Sequence, residues 1–498
     1  MKKLSPVFTI SIIITGVFIL WGIIPNSNLD KVTHTIQGVL LEKFGWFYLL
    51  SATLFLVFAI ILVVSKYGNI RLGKDADRPA YSYTTWFAML FSAGMGIGLV
   101  FWGVAEPLFH YYTPPFIKGQ TVEAARTAMR FSFFHWGFHP WAIYAVIGLA
   151  LAYFQFRKDQ PGVISSLLRP ILGDKVNGPI GVIVDCVAVF ATVFGVATSL
   201  GLGAIQISGG LSYTFTGVEN KFTTQIIVIG IVTVLFMLSA QTGLNKGIKY
   251  LSNLNIFLAV ALLIFLLFIG PTNFIMDLFT NTLGSYLQNL PSMSFSLSPF
   301  YEKMTWFQDW TIFYWAWWIA WAPFVGTFIA RISKGRTIRE FLIGVLLVPT
   351  IFGALWFSVF GGTGIYLEFF KHKELMEAIN IQGSEVALFA MFENFPLSNA
   401  LSIIAIFLIS TFFITSADSA TFVLGMQTTN GSLNPSNKVK FVWGIIQSGT
   451  AAILLWTGGL EALQRASIIA AFPFTIVMLL VVFSLLKALK KEKLVVKK

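Results

Sequence analysis

Ser92-Ala-Gly94-Met95-Gly96-Ile97-Gly98 breaks an apolar run that extends from about 85 to 108. Glycine lets a backbone leave helical geometry and lets a ligand come close. N–H groups freed at a half-helix terminus bind anions, and a carboxylate suits them. Gly94 and Gly98 also have the four-residue spacing by which small residues pack membrane helices together, so close packing is the competing reading. A later run, 307–330, carries Ala322-Pro323-Phe324-Val325-Gly326-Thr327. Paired Gly/Pro interruptions in corresponding helices of two halves point to a ligand site near the bilayer midplane. Both runs would open a five-helix repeat. Five is odd, so the second repeat would enter from the opposite side, inverted.

Only 11% of the 498 residues are charged, against about 25% in soluble chains. Crossing ~30 Å of hydrocarbon takes about 20 apolar residues. Twelve runs qualify, near 6–24, 46–65, 85–108, 131–155, 180–208, 224–239, 251–270, 307–330, 340–361, 398–427, 441–459 and 466–488. The expectation is an all-α integral membrane protein forming a single domain over 1–498. Two extra helices occupy 1–80, the first repeat 81–270 and the second 306–488. The first run lacks a small-residue cleavage site and reads as a retained helix. Segment 271–305 is too polar to span and reads as an interfacial helix.

Alternate loops collect the basic residues. One side receives 24 of the 34 Lys and Arg, among them Lys66, Arg157, Arg331, Arg336 and the six lysines from Lys487 onward. That side is expected to be cytoplasmic, with both termini inside a plasma membrane. The net charge of +12 is then mostly topology, and nucleic acid is not an expected partner. The tail 489–498 reads as a solvated end or, alternatively, as a contact for anionic lipid. Cys186 stands alone, which excludes a disulfide framework.

Trp136-Gly-Phe-His-Pro-Trp141-Ala-Ile-Tyr144 and Trp315-Ala-Trp317-Trp318-Ile-Ala-Trp321 fall well inside their spans. Membrane tryptophans usually mark the headgroup belt. Clustered buried π-faces suit a cation that cannot donate hydrogen bonds, such as a quaternary ammonium. Aromatic core packing is the alternative. Pro140 is expected to kink its helix, and Trp315/Trp318 and Trp317/Trp321 form two adjacent stripes. Thr415 and Ser416 offer hard oxygen ligands to a small cation, or bond their own backbone. Asp418 is expected at an edge, capping or pairing with a loop arginine. Glu106 and Asp185 are expected near interfaces in structural roles. His135 and His139 have a spacing that can hold a metal, but no third ligand is evident.

These stretches, together with Ala330-Arg-Ile-Ser-Lys-Gly-Arg336-Thr-Ile-Arg-Glu340 and Thr415-Ser-Ala-Asp-Ser419, resemble the betaine/carnitine/choline transporter family over about 5–490. The resemblance implies a twelve-helix carrier of the leucine-transporter type with two inverted five-helix repeats, usually a homotrimer. It places an ammonium among Trp136, Trp141, Tyr144 and Trp318, with Trp315, Trp317 and Trp321 near the path. Gly94, Met95, Gly96 and Gly98 would bind the rest of the substrate. It also implies sodium as coupling ion, one ion at Ser92, Met95, Phe412, Thr415 and Ser416, another at Thr192 and Phe324. Val196 stands where a second threonine belongs. No Lys or Arg lies within a span to replace sodium. The glycine stretch holds no acid, which favours a zwitterion over choline.

The leading expectation is therefore sodium-driven symport of glycine betaine or a related quaternary-ammonium zwitterion, with no cofactor. A proton-coupled or exchanging choline or carnitine carrier is the alternative. An enzyme would need a nucleophile–base or metal constellation, and none is evident. A channel would not saturate with a small organic solute.

Overall fold

The computed structural model describes residues 5–94, 96–242, 245–300 and 305–492. Met95, Lys2, Lys3, Lys303, Lys493, Lys497 and Lys498 fall outside them. The helices are α1 (Pro6–Ile23), α2 (Leu29–Val64), α3 (Tyr83–Gly94), α4 (Ile97–Tyr112), α5 (Val122–Trp136), α6 (Phe138–Ala152), the short α7 (Arg169–Leu172), α8 (Pro179–Thr214), α9 (Phe222–Thr242), α10 (Asn245–Ile269), α11 (Thr272–Ser294), α12 (Phe313–Ile332), α13 (Ile338–Lys371), the short α14 (Leu375–Gln382) and α15 (Ala387–Phe392), α16 (Ser398–Gln427) and α17 (Asn437–Leu489). No strand forms among the described residues beyond an isolated bridge between Arg71 and Thr337.

Ten helices among the described residues are long and apolar enough to cross a membrane. The difference from the twelve expected runs has two sources. The third run is divided into α3 and α4, of 12 and 16 residues. The last two runs are joined in α17, whose 53 residues contain a non-helical step at Gly458 (φ −170°, ψ 20°) and Gly459 (φ 57°, ψ −138°). At 1.5 Å per residue such a length is about 80 Å, more than twice the hydrocarbon thickness. The positive φ at 459 is one that favours glycine, and an added Cβ at 458 would crowd the ion pair of Arg465 and Asp30, at 2.7 Å from each side chain.

Two local expectations are corrected. The kink between α5 and α6 lies at Gly137, with φ −95° and ψ −132°, not at Pro140. Pro140 falls in the first turn of α6, where a missing N–H costs nothing. The stretch around Pro323 does not unwind either, because α12 runs through it as continuous helix. Gly326 serves instead as a crossing point, where an added Cβ would lie 2.7 Å from Ile147 and 3.1 Å from the Gly148 nitrogen of α6. α12 packs most closely on α6, then on α17 and α8.

The segment expected at the interface, 271–305, is helical over Thr272–Ser294. It does more than lie alongside. Tyr286 is fully buried, and its hydroxyl accepts the Phe138 N–H at 3.0 Å. That N–H is one of those left without an intrahelical partner at the start of α6.

Candidate functional site

A cavity of about 1000 Å³ opens between the start of α4, the α5–α6 step, α12 and α16. Its wall includes Ser92, Gly96, Gly98, Trp136, Trp141, Tyr144, Trp317, Trp318, Trp321, Phe324, Phe412, Thr415 and Ser416. Thirteen of the residues singled out from the sequence thus share one hollow. Gly94 is the last residue of α3.

The aromatic rings are mutually held. Trp136 meets Trp318 edge-on at 4.9 Å, and Tyr144 meets Trp318 at 5.9 Å. Trp141 meets Tyr144 at 5.5 Å, and Trp317 lies flat on Trp318 at 5.1 Å. Edge-to-face pairs at such separations are the favoured geometry. Trp136, Trp141, Tyr144 and Trp318 are all buried. Two indole N–H groups tie the rings to backbone, Trp318 to the His135 carbonyl at 3.0 Å and Trp321 to the Gly195 carbonyl at 2.6 Å.

Trp315 is placed elsewhere. It is fully buried and stacks on His139 at 5.0 Å, off the cavity wall. The Trp315/Trp318 stripe is therefore split, with Trp315 in the packing and Trp318 joining Trp317 and Trp321 at the cavity.

α4 begins at Ile97 with no side chain capping it from Gly96. A helix start leaves its first N–H groups without intrahelical acceptors; here the Leu99 N–H turns back to the Gly96 carbonyl at 3.2 Å, and Gly96, Ile97, Gly98 and Leu99 line the cavity. Gly98 is required by close approach, since a Cβ there would lie 2.4 Å from Trp317 and 3.3 Å from Trp136. The glycine stretch thus combines both readings, a helix start facing the hollow and a seat for two indoles.

Among the residues expected to take cations, Ser92, Phe412, Thr415 and Ser416 line the cavity together. The Thr415 hydroxyl donates to its own helix, to the Thr411 carbonyl at 3.0 Å, and receives the Asn255 amide at 3.2 Å. Thr192 stands apart from the cavity wall. It is fully buried, donating to the Ala188 carbonyl at 2.8 Å and accepting from Gln427 at 3.3 Å. Phe324 lines the cavity, on α12, which packs against α8 where Thr192 lies.

Asp418, Arg331 and Lys440 also line the cavity. Asp418 accepts from Ser239 at 3.2 Å, and among the described residues no arginine forms an ion pair with it. Asp185 does hold a structural place, accepting the Ser165 N–H at 2.8 Å and its hydroxyl at 2.7 Å.

Glu106 is the residue the sequence reading misplaced. It is wholly buried, and its carboxylate bonds the cavity-lining Trp136 from behind. One carboxylate oxygen accepts from Trp136 at 2.8 Å and Tyr314 at 2.6 Å. The other contacts His135 at 2.7 Å and His110 at 3.2 Å. His135 reaches Thr311 at 2.9 Å with its other nitrogen, whereas His139 turns to Ser294 at 3.1 Å. The i,i+4 histidines therefore do not share a ligand. The available signal was an acid inside an apolar run, which is functional by default.

Comparison with known proteins agrees with this geometry. Residues 6–494 match the family described as BCCT, the betaine/carnitine/choline family transporter. The glycine betaine transporter OpuD of Bacillus subtilis is 56% identical over all of this chain and 97% of its own length. A probable glycine betaine transporter of Desulfitobacterium hafniense is 46% identical, over 99% of this chain and 98% of the relative. The ectoine/hydroxyectoine transporter of Virgibacillus pantothenticus is 45% identical, over 98% and 97% respectively. An aromatic hollow beside a glycine-rich helix start, and likeness along the whole chain, lead to one conclusion: the chain belongs to the betaine/carnitine/choline family of transporters.

Proposed function

We propose that the protein imports glycine betaine, or a closely related quaternary-ammonium zwitterion, by sodium-driven symport. The observation that carries this reading is the cavity whose wall Trp136, Trp141, Tyr144 and Trp318 share with the start of α4. The methylated ammonium lies among the rings, and the carboxylate faces the N–H groups of α4. Each ring contributes roughly 0.5–2 kcal/mol to a desolvated cation, so three or four give about 2–8 kcal/mol. Micromolar binding needs about 8 kcal/mol, and the carboxylate contact supplies the remainder. Relatives described as transporters of glycine betaine or of ectoine support the same solute class.

Sodium takes oxygens from Thr415, Ser416, Ser92 and the Phe412 carbonyl, which share the cavity wall. Twelve crossings in two inverted repeats follow if α3 and α4 form one crossing and α17 makes two. Both termini are then cytoplasmic, with three copies assembling in the plasma membrane. One helical bundle rocks against the other about the site, giving alternating access. Uptake of labelled betaine into proteoliposomes tests the reading. Saturable uptake that collapses without a sodium gradient is expected, and uptake indifferent to sodium would overturn the coupling.

A further inference from the structure

We infer that Glu106 sets the charge selectivity of the cavity, acting through Trp136 as a fixed negative charge behind the aromatic wall. The inference deepens the transport reading and rests on it. Four groups converge on this one carboxylate: the Trp136 indole, the Tyr314 hydroxyl, His135 and His110. An ionised carboxylate has about four acceptor sites, and with His135 and His110 in the tautomers that turn an N–H to it, four donors saturate it. A carboxylate solvated in this way needs no cation beside it. Among the described residues no Lys or Arg pairs with Glu106. His135 is itself anchored, since its second nitrogen meets Thr311.

The arrangement has a direction. Trp136 bonds Glu106 with its N–H and lines the cavity with the same ring. The charge thus lies one indole width from the hollow, across apolar matter that screens it weakly. Tyr314, which also donates to Glu106, stacks under Trp318 at 6.1 Å. Two cage walls are therefore positioned by the same carboxylate. A trimethylammonium group in the cage becomes its counter-ion, and a neutral group of identical shape does not. The rings alone reward shape and polarisable faces, whereas Glu106 adds a preference for charge.

The test compares two ligands of nearly equal shape on the full-length protein in lipid nanodiscs. Glycine betaine carries the trimethylammonium, and 3,3-dimethylbutyrate carries a tert-butyl group in its place. Binding is read by tryptophan fluorescence. The wild type should prefer betaine, and Glu106→Gln should lower that preference about tenfold while affinity for 3,3-dimethylbutyrate changes little. Gln is tolerable in the pocket, because its carbonyl can face Trp136 and Tyr314 and both histidines can present a ring nitrogen as acceptor. If it does not fold, the double variant Glu106→Gln/Tyr314→Phe removes one facing donor and reads the same ratio. Glu106→Asp, which keeps the charge, should retain most of the preference. Equal losses for both ligands, or an unchanged ratio, would overturn the inference and leave Glu106 as packing. A wild type that binds neither ligand would instead overturn the transport reading beneath it.

Discussion

The Trp318 indole N–H donates to the backbone carbonyl of His135 at 3.0 Å. His135 lies in the last turn of α5, just before the Gly137 step, where helix carbonyls lose their intrahelical donors. One hydrogen bond thus fixes a cavity ring and satisfies a helix end. It links the backbone irregularity of α5–α6 to the aromatic wall contributed by α12.

Removing the rings should weaken binding by different amounts. Trp318→Ala and Trp141→Ala are each expected to raise the apparent KM for betaine by about 3- to 30-fold, from roughly 0.5–2 kcal/mol per ring. Trp318→Phe keeps a face but orphans the His135 carbonyl, so its effect should be smaller on affinity than on thermal stability. Uptake kinetics and melting of the purified variants measure both. Unchanged kinetics for all three would count against the cage.

Thr415→Ala deletes a hydroxyl on the cavity wall while leaving α16 intact. The half-saturating sodium concentration should rise severalfold, with a smaller change in maximal rate at high sodium. A sodium titration of initial uptake rates decides it. No shift would place the coupling ion elsewhere.

Gly98→Ala puts a methyl group where Trp317 already stands, 2.4 Å from its ring. The indole must move, and overpacking of this kind costs about 1–3 kcal/mol. Lower thermal stability and reduced betaine affinity are expected together, because Trp317 is stacked on Trp318. A variant with wild-type melting and affinity would show that the wall yields freely.

Glu492 gives a pH-dependent contact at the end of α17. Burial alone would raise its carboxyl, but hydrogen bonds from Arg157, Lys158 and Tyr153 outweigh this and hold it down to about 2, from an ordinary 4.5. A depressed acid adds stability that is full above its unfolded value and is lost as pH falls through the folded one. The melting difference between wild type and Glu492→Gln should therefore be constant above pH 4.5 and shrink towards pH 2. A difference that grows on acidification would refute the assignment.

Tyr286→Phe removes the acceptor of the Phe138 N–H. An orphaned buried donor costs about 1–3 kcal/mol, so the variant should melt lower. Hydrogen exchange at Phe138 should accelerate while distant helices remain protected.

Much of this molecule is written in local pattern. Run length and scarcity of charge dictate membrane helices, because hydrocarbon demands about 20 apolar residues with every backbone group paired. The glycine stretch at 94–98 marks a real break, and the tryptophan runs mark the rings that meet. Contacts from distant segments settled the rest. Helices such as α6 and α16 are apolar nearly all round, so sequence period cannot say which face meets which neighbour. Packing against His139 took Trp315 out of the cavity, and Tyr286 supported the step at Gly137 rather than Pro140. Glu106 looked peripheral by position. Only the convergence of Trp136, Tyr314, His135 and His110 from three helices made burying a carboxylate affordable in free energy, since a buried charge persists only where donors surround it.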